Sequence, residues 1–300
     1  MPALQITMTE ESLSQHPRLK RFLESSPPDV GLLSTDRYNT VYRGLKPTSA
    51  FYLDSITLFD VLSLYGKTSH IEALLLSPEE KKAVVMADDY LAIRYAAQNG
   101  HLTTLQHLET HLTGEEKKEA VRAGNYSAIR LAALNGHLTT LQHLETHLTG
   151  DEKKAAVMAR NYLAILDAAK NGHLTTLQHL ETHLTGDEKK AAVMADDYYA
   201  IRNAAGNGHL TTLQHLETHL TGEGKKAAVM ARNYSAIRYA TLNGHLTTLQ
   251  HLETHLTGEE KKAVVMADDY LAIRYAAQNG HLTTLQHLET HLTGEEKKEA

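Results

Sequence analysis

The sequence predicts an all-α fold: an α-solenoid of stacked three-helix repeats behind a helical N-terminal capping region. Three observations carry this. The run Asn99-Gly-His-Leu-Thr-Thr-Leu-Gln-His-Leu-Glu-Thr-His-Leu-Thr-Gly114 recurs unchanged at a 36-residue period, ending again at Gly150, Gly186, Gly222, Gly258 and Gly294. A fixed period of that length marks a stacked array in which each unit covers its apolar face with its neighbours. All six prolines lie at or before Pro78, so residues 79–300 are free of the residue that most disrupts helices. Within each unit the apolar residues recur at helical spacing.

The first helix of a unit opens on a capping box, a hydroxyl followed three residues later by Glu: Thr113/Glu116, Thr149/Glu152, Thr185/Glu188 and Thr257/Glu260. Ser77-Pro78-Glu79-Glu80 is the same device at the entry to the array, with Pro where a missing N–H costs nothing. Gly224 replaces the Glu after Thr221, which predicts a weaker cap. After Lys153-Lys154 the segment Ala155-Ala-Val-Met-Ala159 is apolar nearly all round and predicts a mostly buried helix. The second helix is predicted to start at an N-cap Asp or Asn (Asp89, Asn125, Asn161, Asp197, Asn233, Asp269), to gather Ala92, Ile93, Ala96 and Ala97 on one side, and to close at Asn99-Gly100. The third, from about His101 to Leu112, carries Leu102, Leu105, Leu108 and Leu112 as a core stripe.

These residues resemble a known family. Ala92-Ile-Arg-Tyr-Ala-Ala-Gln-Asn-Gly-His-Leu-Thr-Thr-Leu-Gln-His-Leu108 is similar to the helix pair of ankyrin repeats, with its Ala-Ala-x-x-Gly-His-Leu junction. The resemblance covers the array and not the leader. It departs in two places: Leu91-Ala-Ile-Arg94 stands where ankyrin repeats carry Thr-Pro-Leu-His, and a Glu-Glu-Lys-Lys helix replaces the β-hairpin finger. The expected organisation is a leader at 1–54, a degenerate capping repeat at 55–78, six repeats at 79–294 and the start of a seventh at 295–300. Glu79–Ala120 and Glu259–Ala300 are identical over 42 residues, so the chain stops partway through a first helix. That predicts a longer parent protein, or self-association through an uncapped apolar end.

Four positions of the unit vary against a near-constant background. They read Asp88, Gly124, Arg160, Asp196, Arg232, Asp268; Leu91, Ser127, Leu163, Tyr199, Ser235, Leu271; Tyr95, Leu131, Asp167, Asn203, Tyr239, Tyr275; and Gln98, Leu134, Lys170, Gly206, Leu242, Gln278. Their i, i+3, i+7, i+10 spacing puts them on one face of the second helix. Thr103, Gln106, His107 and His111, on the face of the third helix expected to be exposed, never change. Variation confined to one stripe predicts a binding surface. The ankyrin resemblance places that stripe in a concave groove, and its mixture of Tyr, Leu, Arg, Asp and Asn suits a protein partner.

Eighteen of the 20 histidines are three per unit: His101, His107, His111 and their counterparts. His107 and His111 stand at i, i+4, but His-Leu-Glu-Thr-His is not His-Glu-x-x-His, and a third ligand would have to come from a neighbouring unit. No metal and no cofactor is assigned from the sequence. His101 is expected to make a local bond at its helix junction. Full protonation would move the formal charge from −6 to +14, so stability is expected to fall between about pH 7 and 5 as the histidine ladders charge.

Function narrows by exclusion. With no cysteine there is no thiolate site, and no glycine-rich phosphate loop or Ser-His-Asp set stands out from the repeat, so an enzyme is not expected within 1–300. No 18-residue apolar run occurs. The first residues lack the basic and apolar regions of a signal peptide, which predicts a cytoplasmic protein. Near-identical tandem units resemble arrays in proteins that host-associated bacteria deliver into eukaryotic cells. The leading expectation is a scaffold binding a partner protein. The alternatives are a nucleic-acid-reading helical repeat, similar in its Asn-Gly…Leu pattern to TAL-effector repeats but disfavoured by net acidity, and the targeting arm of a larger enzyme or effector.

Overall fold

The computed structural model describes residues 55–73 and 76–299, and these are helical with no strand among them. The expectations for residues 1–54 lie outside this range. The helices are α1 (Ser55–Leu64), α2 (Thr68–Ala73), α3 (Pro78–Gln98), α4 (Leu102–Glu109), α5 (Gly114–Leu134), α6 (Leu138–Glu145), α7 (Gly150–Lys170), α8 (Leu174–Glu181), α9 (Gly186–Gly206), α10 (Leu210–Glu217), α11 (Gly222–Leu242), α12 (Leu246–Glu253), α13 (Gly258–Gln278), α14 (Leu282–Glu289) and α15 (Glu296–Glu299). They fall into two compact units. Of the described residues, one holds those from Ser55 to Ala132 with Thr139–Thr149, and the other holds Ala133–Leu138 with Gly150 to Glu299.

Each long helix is two helices joined by a break. In α3, Ala87 is extended and Asp88, Asp89 and Tyr90 follow in the left-handed region, with φ of 48°, 59° and 60°. The same break recurs in α5, α7, α9, α11 and α13. This corrects the expected N-cap: Asp89 and its counterparts occupy the middle of a left-handed turn, whereas an N-cap residue is extended. The chemistry still selects the residue, because Asn and Asp tolerate a conformation that costs most L-residues about 1–2 kcal/mol. The turn is tied from the second helix. In the first unit Arg94 Nη2 donates to Asp88 O at 2.7 Å. In the second unit Arg202 donates to Asp197 O at 2.8 Å and to Asp196 O at 2.9 Å, and Arg238 donates to Arg232 O.

The helix entries follow the sequence. Full capping boxes form at Ser77/Glu80, Thr185/Glu188 and Thr257/Glu260, whereas Thr221 caps only the backbone N–H of Gly224. The cap glutamates also receive a lysine from the preceding repeat: Lys82 to Glu116 within the first unit, and Lys154 to Glu188 within the second, each at 2.5 Å. The first-helix segment is not buried all round, which corrects that expectation. Ala156 and Val157 are buried, while Met158, Met194, Met230 and Met266 stand 38–43% exposed. One narrow side of this helix meets its neighbours.

The second helix ends as its Asn-Gly predicts. Gly100 has φ 70°, Gly100 N–H bonds Ala97 O, and His101 N–H bonds Ala96 O at 2.9 Å, a pattern that satisfies the last carbonyls. The third helix is shorter than predicted. It ends at Glu109, and the chain reaches Leu112 through i→i+3 bonds from Thr110, His111 and Leu112.

In the first unit, Phe59, Leu62 and Ile71 of the α1–α2 pair are fully buried, and the pair packs on α3 and α4. Gly66 closes α1 as Gly100 closes α3, so the degenerate pair keeps the repeat's junction. In the second unit α7, α9, α11 and α13 pack in series, each with its short partner helix. The interior there is Ala200, Ile201, Ala204, Ala205, Leu213 and Leu216, all fully buried, with their counterparts in adjacent repeats.

One hydroxyl per repeat, with that of Thr241 in addition, interrupts that core. The hydroxyls of Thr176, Thr212, Thr248 and Thr284 are buried without a hydrogen-bond partner. Neighbouring substitutions should therefore differ in sign. Thr212→Val, which removes an unsatisfied hydroxyl at constant shape, should stabilise by about 1 kcal/mol. Leu213→Ala should destabilise by about 2–5 kcal/mol. Urea unfolding followed by circular dichroism checks both.

Candidate functional site

Two surfaces emerge: the variable stripe on the second helices and the histidine face of the third helices. The first unit places Asp88 in solvent and leaves Leu91, Tyr95, Gln98 and Leu131 half-buried. Ser127 is buried, its hydroxyl donating to Ala123 O at 3.2 Å. Burial, then the charge of Asp60, pushes the Tyr95 phenol above its ordinary value.

In the second unit Arg160, Lys170, Asp196, Arg232 and Tyr239 are exposed, and Leu134, Leu163, Tyr199, Asn203 and Leu242 are half-buried. Asp167 and Ser235 are buried, the latter donating back to Ala231 O, so neither offers much surface. Asn161 donates to Asp196 at 2.9 Å, and Arg232 pairs with Asp197 at 3.0 Å. The Arg202 guanidinium lies 5.8 Å from the centre of the Tyr199 ring. The stripe is also coupled from repeat to repeat. A Cβ added at Gly206 would come within 2.8 Å of Tyr239 Cβ, so the large residue of one repeat occupies the room left by the small residue of the one before.

The histidines are not a solvent face. In the first unit Glu109, 3% exposed, is held by the next repeat: His143 Nε2 donates to its Oε2 at 2.7 Å and His147 Nε2 to its Oε1 at 3.0 Å. The second unit repeats this at Glu181 with His215 and His219, Glu217 with His251 and His255, and Glu253 with His287 and His291. A carboxylate only accepts, so each ring presents Nε2–H. The two rings of each pair meet edge to face, their centroids 5.2–5.4 Å apart. A direct contact between repeats is reason enough for His143, His147, His215, His219 and the pairs that follow them never to vary. The spacing places these histidines on an exposed face and the Glu of His-Leu-Glu-Thr-His elsewhere on the same helix; it does not show that this Glu meets the histidines of the next repeat. Its signal was the invariance of Glu109 and its counterparts within His-Leu-Glu-Thr-His.

The first pair differs. The sequence has Ala73 where a preceding Glu would stand, and the Nε2 atoms of His107 and His111 are buried without a partner. Burial lowers both rings below the ordinary imidazole value, with Lys81 adding to it in each case and His107 adding to it for His111.

The junction histidines reach across rather than bonding locally, as had been expected. His101 Nε2 donates to Leu64 O at 3.0 Å, and His281 Nε2 to Leu242 O at 3.0 Å, each satisfying the end of the preceding repeat's second helix. The ring lies over that repeat's junction glycine. A Cβ on Gly172 would sit 2.5 Å from His209, so the invariant Gly serves both a left-handed φ of 73° and this close approach. Burial first, then the charges of His173 and His245, lowers His209.

These shifts fix the sign of the pH response. A histidine lowered in the fold contributes stability that is complete above about pH 6.5 and is lost as pH falls through its folded value. For Glu109, burial works to raise the carboxyl, but the bonds from His147 and His143 outweigh it and the net direction is down. Its contribution is complete above the ordinary carboxyl value of 4.5 and is lost below it. The expected loss on acidification thus has burial as its first cause and imidazole repulsion as its second.

No family model matches the chain, and no curated protein matches it. Among solved structures it is similar to the X-ray structure of an ankyrin repeat family protein from Legionella pneumophila. The identity is 22% and the TM-score 0.44, over 94% of this chain and 86% of that one. No helix among the described residues is long and apolar enough to cross a membrane.

Two outcomes follow. The melting temperature should fall from pH 7 to pH 5 and again below about pH 4.5, as differential scanning calorimetry in buffers of equal ionic strength would show. Glu217→Ala leaves two half-buried imidazole donors without an acceptor and should cost about 1–3 kcal/mol by urea unfolding.

Proposed function

We propose that the chain is a protein-binding scaffold that engages its partner through the variable stripe of its second helices. The observation that carries this is the contrast between an invariant frame and one changing row. In the second unit, Arg160, Lys170, Asp196, Tyr199, Asn203, Arg232 and Tyr239 differ from repeat to repeat while remaining at least partly open to solvent. The residues beneath them, Ala200, Ile201 and Ala204 among others, keep their identity and are fully buried. Aromatic and Arg side chains in such a row are the residue types that dominate binding energy at protein interfaces. The resemblance of Ala92 to Leu108 to the ankyrin helix pair supports the same reading.

Nucleic-acid reading is less well supported. Along the first stripe position the signs mix (Asp88, Arg160, Asp196, Arg232, Asp268), and the formal charge is −6, which gives no basic track for a phosphate backbone.

The test compares the wild-type chain with a variant carrying alanine at Tyr95, Leu131, Lys170, Asn203 and Tyr239 in quantitative pull-downs from candidate cell lysates. The expected result is a partner retained by the wild type and lost by the variant, with both chains matching in helical circular dichroism. Equal capture by both would remove the stripe from the interface, and salt-sensitive retention of oligonucleotides would favour the nucleic-acid alternative.

A further inference from the structure

The geometry points to a second activity on the other side of the repeat: each Glu–His–His clasp between repeats is a binding site for a divalent transition metal of the zinc class. Two histidines at i, i+4 on one helix need a third ligand from a neighbouring unit. The fold supplies it. Within the first unit, Glu109 reaches from one repeat to His143 and His147 of the next. Within the second unit the same triad forms at Glu181 with His215 and His219, at Glu217 with His251 and His255, and at Glu253 with His287 and His291. In every case the three ligand atoms lie within 4.8 Å of one another.

The chemistry of the set selects the metal. Two imidazoles and one carboxylate suit zinc, nickel or copper, whereas calcium and magnesium require mostly oxygen ligands. Two histidines with a glutamate, leaving a fourth position open, is a zinc donor set. The distances are close to what such an ion needs. Ligands at about 2.0–2.2 Å from a tetrahedral ion stand about 3.3 Å from one another. The present Nε2–O separations are 2.7 and 3.0 Å, one to each carboxylate oxygen, and the three ligand atoms lie within 4.8 Å of one another, so side-chain adjustment alone brings them around one ion. The carboxylate is held in place: the Glu181 side chain is 4% exposed while His215 and His219 are 21% and 17% exposed, which leaves an approach from the imidazole side.

The proton balance needs no external base. In the metal-free clasp each neutral ring carries its proton on Nε2. On binding, Nε2 gives its lone pair to the metal and the proton is carried on Nδ1, so each ring stays neutral. A polar group already stands at that second nitrogen: Gln178 Nε2 lies 3.4 Å from His215 Nδ1, and turning its amide presents the oxygen as acceptor. One metal per clasp joins two repeats, so an array loaded with zinc is stiffer and more stable than the same array without it.

The experiment uses the full chain, stripped with chelator and titrated with zinc chloride at neutral pH by isothermal calorimetry, with magnesium chloride as the control. Wild type is compared with Glu181→Gln/Glu217→Gln/Glu253→Gln, which keeps side-chain shape and one accepting oxygen but replaces the other with an amide NH2 and removes three charged ligands. The expected result is several zinc ions per wild-type chain, three fewer in the variant, a rise in melting temperature for the wild type only, and no response to magnesium. Long-range nitrogen–proton NMR of the wild type reads the site independently of the variant's folding: zinc should move the clasp histidines from the Nε2–H to the Nδ1–H tautomer. Equal stoichiometry in the two chains, or clasp histidines that keep Nε2–H at saturating zinc, would overturn the proposal.

Discussion

No repeat in this chain can cover its own apolar face. A helix pair lined by Ala200, Ile201, Ala204 and Ala205 on one element and Leu213 and Leu216 on the other is fully buried only because the next repeat lies on it. At about 1.5–3 kcal/mol per buried leucine or isoleucine, this contact between neighbours outweighs any single polar bond in the molecule. Its requirements explain the composition. Alanines let the second helices approach, the absence of proline after residue 78 keeps them continuous, and the α1–α2 pair presents Phe59, Leu62 and Ile71 to the first repeat of its unit.

The polar contacts are arranged around this face and work across the same junction. His101 and His281 finish the preceding repeat's second helix, Lys154 reaches the next repeat's cap glutamate, and Glu181 reaches the next repeat's imidazoles. Burying a carboxylate is costly unless its oxygens are bonded, and here each oxygen has its own donor. The clasp is thus both a structural bond and, by its ligand set, a place for a metal.

Much of this was legible in the sequence, because repetition multiplies weak local signals. Capping boxes at Thr185 and Thr257, the Asn-Gly closure of the second helix and the burial of Leu105, Leu108 and Leu112 on the third were read from residue type and spacing, but Leu102, expected in the same stripe, is only half-buried, and its counterpart Leu282 stands 61% exposed. The left-handed turn was not legible. Asp and Asn favour both N-caps and left-handed positions, and only the backbone distinguishes the two roles. The exposed methionines were missed because an apolar run over two turns does not say which side has a neighbour. The Glu–His–His clasp was missed for a deeper reason. Its three members are 34 and 38 residues apart, and their meeting depends on how one repeat is set upon the next. Burial of Ser127, Asp167 and Ser235 within the stripe was hidden in the same way.

The notch at Gly206 has a consequence for how such a chain can change. Near-identical copies invite loss or gain of whole units by recombination, and a uniform frame would accept either. Yet Tyr239 rests where Gly206 has no side chain, and excising the 36 residues from 186 to 221 would set Tyr239 against Lys170 instead. At this one junction the order of the copies is tied to steric fit, whereas Tyr275 follows Leu242 and is placed without such a notch, so reshuffling is restricted locally and not along the whole row.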